Sequence, residues 1–223
     1  DIVADLSGRV HVVWAGGDTE FDQVLYREFD PATGWSSTND LAAFPIVRGE
    51  SAATRPTLLA DDQLLHITYT NYEGVYYSNA PILDALAAGA WQDATVVDGD
   101  QTSYFSRVAR DSDGNLHLVY TENTPQTGCQ QCYHLYYIRS SDQGQRWTAP
   151  YDISIAPTGA AKPQLVVGPD GVIHAVWESG YGGGLGQVRD PVQAMYASSA
   201  DNGNTWSVPM ELSATEDPNE LAR

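Results

Sequence analysis

The sequence predicts an all-β protein built as a β-propeller, with four repeats that each form a blade of four antiparallel strands. Three observations predict this fold: a motif that occurs four times, turn signals between short apolar runs, and tryptophans at matching positions in the repeats. Self-similarity at such a period is the sequence signature of propellers and other repeat architectures. The histidines of the motif lie 55, 51 and 57 residues apart, which fits one four-stranded blade with generous loops.

The recurring motif is a short apolar strand with a histidine in its middle and an aromatic residue at its end. Its four copies are Gly8–Trp14, Gln63–Tyr69, Gly114–Tyr120 and Gly171–Trp177. A shorter apolar run precedes each copy, and Asp/Gly-rich turns between the two are a strong hairpin signal. We interpret each pair as the first and second strands of a blade. The histidines are expected to be packed and hydrogen-bonded between blades, away from the central channel.

Each repeat continues with a tyrosine-containing third strand and with a tryptophan that opens a fourth strand. These tryptophans are Trp35, Trp91, Trp147 and Trp206. Helical periodicity is nearly absent, apart from one possible helical turn between Leu83 and Ala90. The predicted blades cover approximately residues 1–47, 53–98, 105–155 and 161–213, and residues 214–223 lack a strand pattern and indicate a linker or frayed tail.

Two turns share the pattern Ser-x-Asp-x-Gly-x-x-Trp. Its residues are Ser140, Asp142, Gly144 and Trp147 in one turn, and Ser199, Asp201, Gly203 and Trp206 in the other. In such a turn the aspartate accepts backbone N–H bonds, the glycine adopts a positive φ, and the tryptophan packs back over the hairpin. The first repeat has a shortened version at Asp30–Trp35, and in the second an insertion between Ser78 and Trp91 has erased it.

This pattern resembles the Asp box of the bacterial-neuraminidase-type repeats found in sialidase-like propellers. The resemblance covers essentially the whole chain and implies the fold, but Asp boxes occur in hydrolases, lectins and interaction modules alike. In that family the boxes lie between the third and fourth strands, on the face opposite the ligand site. The resemblance therefore implies a functional face built from the loops between second and third strands, at 15–22, 70–74, 121–133 and 178–192.

The candidate ligand-binding residues lie at strand ends near this face. Arg55 resembles the family's Arg-x-Pro motif for binding a substrate carboxylate, but it lacks the intervening residue, and Arg107 opens another first strand. Lys162 stands at the position of Arg55 in the fourth repeat, which favours an ordinary strand start. The remaining candidates are aromatic residues that stack on sugars or pack between blades, and an acidic loop residue: Trp14, Tyr69, Tyr120, Trp177 and Glu178.

The composition narrows the range of partners. The formal net charge is −18, which repels phosphate backbones and anionic lipids, so we expect neither nucleic acid nor a membrane as a partner. No stretch approaches the roughly 18 apolar residues of a membrane span.

The number of blades leaves three arrangements open. The four blades close on themselves, belong to a larger ring, or assemble with other chains, and we favour the larger ring. An open arc would expose apolar blade faces that could self-associate.

The two cysteines, Cys129 and Cys132, leave three interpretations open: a local disulfide, free thiols, or two ligands of a metal site with His134. A structural zinc site needs four ligands, so we favour the disulfide and expect neither a metal nor a cofactor. A disulfide mildly favours an exported protein, at the cell surface or outside the cell.

The sequence leaves two functions from different classes open. The first is a non-catalytic binding or scaffold module of an exported protein, which recognises a glycan or a protein through the loops opposite the Asp boxes. The second is a glycoside hydrolase of the sialidase type, or a part of one. The resemblance implies that a sialidase binds the substrate carboxylate with three arginines and uses a tyrosine nucleophile paired with a glutamate. We favour the first function, because the sequence shows neither the full set of arginines nor an identifiable pair of this kind.

Overall fold

The chain is almost entirely β in the computed structural model. The structure describes residues 1–17, 21–45, 55–71, 73–100, 103–124, 132–155, 159–181 and 188–213. Within these ranges the strands form four separate antiparallel sheets that follow one another along the chain. The predicted fold class, a propeller of four-stranded antiparallel blades, is therefore confirmed. The predicted tail at 214–223 lies outside the described residues.

The first two blades differ in their outer strands. Blade 1 contains β1 (Ile2–Ala4), β2 (Val10–Gly17), β3 (Phe21–Asp30), β4 (Gly34–Trp35) and β5 (Asn39–Pro45). Both β4 and β5 pair with β3, so the predicted fourth strand is split into two pieces. Blade 2 contains β6 (Thr57–Ala60), β7 (Leu64–Asn71), β8 (Gly74–Pro81) and β9 (Thr95–Asp98).

The last two blades share one pattern of a long third strand and a very short fourth. Blade 3 contains β10 (Ser103–Arg110), β11 (Leu116–Asn123), β12 (Tyr133–Ser140) and β13 (Tyr151–Asp152). Blade 4 contains β14 (Ala161–Val167), β15 (Ile173–Tyr181), β16 (Val188–Ser199) and β17 (Met210–Glu211). Apolar residues of β11 and β12 pack against β15 and β16, so the core of the molecule lies between blades.

The strand register defines two edges of each blade. In blade 3, Glu122 pairs with both Ser103 and His134 at the edge where the first strand begins. Leu116 pairs with Arg110 and Ser140 at the opposite edge, where the Asp-box turn follows the third strand. We call the first the loop edge and the second the hairpin edge. The Asp-box turns therefore lie opposite the loops between second and third strands.

The Asp-box turns are held by hydrogen bonds around one serine and one aspartate. Ser140 Oγ donates to Asp142 and accepts from the backbone N–H of Gly144, while Asp142 accepts from the backbone N–H and the side chain of Arg146. These bonds from Arg146 and Ser140 lower the pKa of Asp142 to about 2. Asp201 has the same arrangement with Thr205 and Ser199, and its pKa is likewise lowered to about 2.

The insertion in blade 2 replaces the Asp box with two 3-10 helical turns, Ile82–Asp84 and Ala88–Ala90. Trp91 Nε1 donates to the carbonyl of Ala85 at 2.9 Å, as Trp147 Nε1 donates to the carbonyl of Gly144 at 3.1 Å. A different local structure thus places the tryptophan of the fourth strand in the same way.

The motif histidines hydrogen-bond within their own blades, so the expectation of bonds between blades was wrong. Each Nδ1 lies 2.7–2.8 Å from a tyrosine hydroxyl of the third strand, in the pairs His11–Tyr26, His66–Tyr77, His117–Tyr137 and His174–Tyr196. In blades 1 to 3, Nε2 lies 3.1–3.3 Å from an aspartate of the preceding turn, Asp5, Asp61 or Asp111. Burial lowers the pKa of His66 and His117.

The tyrosines of these pairs join one blade to the next. Each packs edge-on against the tryptophan of the following blade, with ring centroids 5.0–5.8 Å apart, in the pairs Tyr26–Trp91, Tyr77–Trp147 and Tyr137–Trp206. The glycine of the Asp box lies against the same ring: a Cβ on Gly144 would lie 2.0 Å from Tyr77 Cε1. We call this arrangement of tyrosine, turn and tryptophan the blade joint. The Asp box therefore connects blades as well as capping its hairpin.

Two further features concern the cysteines and the possible membrane or metal sites. Cys132 is disulfide-bonded, and the one other cysteine of the sequence, Cys129, lies outside the described residues. Within the described part of the chain, no helix is long and apolar enough to cross a membrane, and no three His, Cys, Asp or Glu side chains are grouped so as to hold a metal ion.

We expect Gly144→Ala to destabilise the protein much more than Gly171→Ala. Both glycines have a positive φ, +85° and +78°, but no atom lies within 4 Å of a Cβ at Gly171. The left-handed backbone costs roughly 1–2 kcal/mol for either alanine, and forcing the Tyr77 ring aside adds about 1–3 kcal/mol for Gly144→Ala alone. Urea unfolding measures the difference. Equal losses for the two variants would contradict the blade joint.

Candidate functional site

A cleft of ≈350 Å³ lies where the first strands of the blades begin, at the loop edge. We call it the axial cleft. Its lining comes from equivalent strand-start positions in the four blades: Asp1, Arg55, Pro56, Phe105, Arg107, Lys162, Pro163 and Gln164. Two candidates from the sequence, Arg55 and Arg107, therefore line one cavity, together with Lys162.

The backbone is irregular at the same point of three blades. The register of β10 shifts between Tyr104 and Arg107, and that of β14 shifts between Ala161 and Gln164. The residues at this point have positive φ angles of +30°, +50° and +49°, at Arg55, Phe105 and Lys162. Such conformations cost about 1–3 kcal/mol in residues other than glycine and cluster at functional sites. A bulge re-aims a side chain, and here each of the three side chains lines the axial cleft.

Arg55 is a half-buried cation of the cleft that is held between aromatic rings. Its guanidinium carbon lies 4.4 Å from the ring centroid of Phe105 and 5.5 Å from that of Tyr104, which are cation–π distances. Its Nη1 is buried and has no hydrogen-bond partner among the described residues. Burial lowers the pKa of Arg55, but a guanidinium stays charged at neutral pH. The group is thus a charged donor held by aromatic rings and not by a carboxylate in the described part of the chain.

Arg107 and Lys162 add positive charge to the same cavity. Arg107 donates two long hydrogen bonds of 3.4 Å, from Nε to Gln164 and from Nη1 to the carbonyl of Ser106. Lys162 Nζ lies 3.0 Å from the carboxylate of Glu178, which places that candidate beside the cleft as well. The cleft therefore concentrates cations in a chain whose net charge is −18.

A second group of titratable residues lies between blades 2 and 3, also at the loop edge. Asp98 accepts a hydrogen bond from the hydroxyl of Ser103, the residue that pairs with Glu122 in the sheet. Burial, together with the charges of Asp98 and Asp100, raises the pKa of Glu122 to about 7. Burial also raises the pKa of Asp98. From the sequence, Glu122 is one of several carboxylates expected in solvated loops, because a half-buried carboxylate at a strand end has the same sequence signature as a solvated one. Asp98 was not among the sequence candidates.

Buried polar atoms without a hydrogen-bond partner collect towards the loop edge. Among the described residues they belong to Asp22, Arg55, Asn71, Tyr120, His134 and Trp177, and one further example, Trp206, lies at the hairpin edge. Most buried polar groups in proteins are hydrogen-bonded, so such a concentration needs an explanation. The loop edge therefore presents several polar atoms that contacts within the described part of the chain leave unpaired.

The aromatic candidates separate into two groups. Tyr69, Tyr120 and Trp177 are buried between blades, so their rings offer no free face for a sugar. Trp14 is half-buried in β2, on the face of blade 1 that points away from blade 2. The structure instead places Tyr104 and Phe105 beside Arg55. A bulge in β10 brings Tyr104 and Phe105 to Arg55, and no residue pattern in the sequence predicts this bulge.

Comparison with known proteins identifies the fold. No family model and no curated protein matches the sequence. A protein of unknown function from Dyadobacter fermentans has a TM-score of 0.69 and 12% identity, over 97% of this chain and 69% of that one. The α-L-arabinanase of Penicillium chrysogenum has a TM-score of 0.61 and 16% identity, over 92% of this chain and 62% of that one.

The leech intramolecular trans-sialidase has a TM-score of 0.64 and 12% identity, over 96% of this chain and 50% of that one. At these identities the likeness establishes the fold alone, a β-propeller. The chain spans between 50% and 69% of the length of the three matched chains.

We expect Glu122→Gln to flatten the pH dependence of stability between pH 5 and pH 8. A carboxyl whose pKa rises on folding stabilises the protein fully below its ordinary value, 4.5, and this contribution is lost as pH increases through about 7. The melting temperature of the unaltered protein should therefore fall over this range by more than that of the variant. Glu73→Gln, at an exposed carboxylate, is the control. Parallel curves for Glu122→Gln and the unaltered protein would contradict the assignment.

Proposed function

We propose that this protein binds a carbohydrate that carries a carboxylate, and that the axial cleft is the binding site. The observation that carries the proposal is the convergence of Arg55, Arg107 and Lys162 on one cleft in a strongly acidic chain. Charges that cluster against the sign of the whole protein focus the local field on ligands of the opposite charge.

The chemistry of the cleft favours a carboxylate over a phosphate-rich polymer. Two guanidinium groups offer planar, bidentate donors that match a single carboxylate, and a partly buried site strengthens each of these bonds. A nucleic acid would instead meet the net charge of −18 on the rest of the surface. A small acidic ligand can enter the cleft without approaching that surface.

The carbohydrate part of the proposal rests on the site and on the fold together. A volume of ≈350 Å³ lies within the usual range of small-ligand sites and is open to one or two sugar rings. Phe105 offers an aromatic ring in the cleft wall. Solved structures with this fold include proteins named as sialidases, an arabinanase and an arabinofuranosidase. An exported location accords with such a ligand.

A second candidate function is cleavage of a glycosidic bond, as in the sialidase-type alternative. The observation that favours it is Glu122, because a carboxyl group whose pKa is about 7 is protonated in about half of the molecules at pH 7 and can donate a proton to a leaving group. Asp98 lies in the same group and would supply a second carboxyl, as glycoside hydrolysis requires.

We expect Arg55→Ala and Arg107→Ala each to weaken binding of an acidic oligosaccharide by at least about tenfold, because a charged donor is lost from a partly buried site. Calorimetric titration with sialyllactose and with trigalacturonate measures this, and lactose serves as the neutral ligand. Arg146→Ala is the matched control, because Arg146 pairs with Asp142 at the hairpin edge. Equal affinity for lactose and the acidic sugars, or no effect of either variant, would refute the proposal.

The catalytic alternative predicts release of the aryl group from nitrophenyl glycosides, with a rate that falls above pH 7 as Glu122 loses its proton. Glu122→Gln should abolish turnover and leave the affinity for the acidic oligosaccharide unchanged. Binding without turnover on sialoside, arabinoside and uronide substrates would leave the protein as a binding module.

A further inference from the structure

The insertion of blade 2 forms part of a second groove, which lies at the hairpin edge. This groove has a volume of ≈490 Å³ and runs between blades 1 and 2. Its walls are the turn at 5–7 after β1, the turn at 62–63 after β6, and residues 81–84, which include the first 3-10 turn of the insertion. We call it the seam groove. It is larger than the axial cleft and shares no lining residue with it, so the two are separate cavities.

The seam groove is not an open blade face. The sheet faces that meet below it are packed in one core cluster, with Val13 and Tyr26 from blade 1 and Leu65 and Ile82 from blade 2. The blade joint between Tyr26 and Trp91 closes the same seam. Neighbouring blades of a propeller pack through their sheet faces and not through their turns. The groove is therefore a feature of two joined blades and not of an end of the array.

Two leucines stand exposed at the walls of the seam groove. Leu6 is 88% exposed and Leu83 is 82% exposed. In the insertion, Ile82 is buried in the core and the carbonyl of Ala85 accepts the hydrogen bond of Trp91, so both residues contribute to the fold. Leu83 lies between them in the chain, yet its side chain is mostly in solvent. Exposed apolar side chains on two walls of one groove favour a partner that covers them.

The walls of the groove are fixed by hydrogen bonds within the chain. The carboxylates of Asp5 and Asp61 each accept hydrogen bonds from two backbone N–H groups of their own turns. The backbone N–H of Ile82 donates to the carbonyl of Gln63 at 2.9 Å, which ties the insertion to the second of these turns. A wall that is already ordered loses less conformational freedom when a partner binds, so the groove is preorganised.

The charge at the groove is negative. Asp62 and Asp84 are exposed among its lining residues, and the described lining contains no lysine or arginine. Arg110 pairs with Asp61 at 3.3 Å and lies 3.9 Å from Asp62, while Asp84 forms no ion pair within the described ranges. An occupant that carries positive charge beside an apolar group therefore complements this groove.

We propose that the seam groove docks a segment of a partner protein that presents an aliphatic side chain next to a lysine or arginine. The aliphatic side chain packs between Leu6 and Leu83, and the cation meets Asp62 and Asp84. A second copy of this chain is a poor occupant, because it brings a net charge of −18 and its one lysine, Lys162, lines the axial cleft. Nucleic acids and anionic lipids are repelled by the same carboxylates.

A peptide segment fits the groove better than a small organic cation does. Small-ligand sites enclose most of the surface of their ligand, whereas the two leucines project from turns into solvent. A ligand confined to the cavity leaves these side chains in water, while a segment that runs along the groove covers both. The groove and the axial cleft lie at opposite edges, so this proposal does not rest on carbohydrate binding.

The test begins with selection of a random peptide library, displayed on phage, against the unaltered protein. The enriched peptides should share a leucine, isoleucine or valine next to a lysine or arginine. One enriched peptide is then synthesised with a fluorescent label and titrated by fluorescence anisotropy. Leu83→Ser should weaken its binding at least about tenfold, as truncation of a central apolar anchor does. Asp84→Asn should weaken it about two- to fivefold, as loss of an exposed ion pair does, and reduce its salt dependence.

Matched controls separate the groove from general stickiness and from charge. Val208→Ser is the apolar control, because Val208 is 80% exposed in blade 4, and Asp113→Asn is the charge control, because Asp113 is exposed in a turn of blade 3. Neither should change the affinity, and Arg55→Ala in the axial cleft should not change it either. Melting curves verify that each variant is folded.

Four outcomes would overturn the proposal. They are a selection that enriches no peptide, enriched peptides without basic residues, equal effects of Leu83→Ser and Val208→Ser, and binding of hexylamine as tight as that of the peptide. The last result would assign the groove to a small organic cation instead of a protein segment.

Discussion

The structure depends on the contact between a tyrosine ring and the turn of the next blade. Within its own blade the ring is held in place because its hydroxyl is hydrogen-bonded to a buried histidine. In three blades that histidine also contacts an aspartate of the preceding turn. On the side of the next blade, the turn has space for the ring because a glycine without a Cβ, or the 3-10 insertion of blade 2, lies beside it. A chain of polar contacts within one blade thus sets the position of the apolar contact between blades. The sheets themselves share no hydrogen-bonded strands in the described ranges, so these contacts and the apolar packing between blades hold them together.

Much of this architecture could be predicted from the sequence, because the repeat acts at the level of residue types. The histidine motif, the Asp-box glycines and the tryptophans each have one position in a blade, and those positions recur. The part that could not be predicted is the partnership of the histidines. A sequence gives no distance between His117 and Tyr137, which are twenty residues apart and become diagonal neighbours only after the strands pair.

The candidate site was predictable to a lesser extent, and for a different reason. Arg55 could be selected because it resembles the Arg-x-Pro motif, and Arg107 because it was expected to open another first strand. The structure places both in the axial cleft. Phe105 and Glu122 could not be selected, since their roles depend on a bulge and on burial. Neither property follows from residue type. The aromatic residues at the ends of the second strands, which were candidates for stacking on sugars, are mostly buried between blades.

The bulge at the start of the first strands has a consequence for how such a protein can change. One backbone position, repeated in three blades, presents an arginine, an aromatic ring and a lysine to the same cavity. The blade joints lie at the opposite edge and share none of these residues. Exchange of a side chain at one bulge therefore alters what the cavity binds without altering what holds the ring segments together. Gene duplication of blades would supply new positions of this kind, so ligand preference and foldability can diverge independently in this architecture.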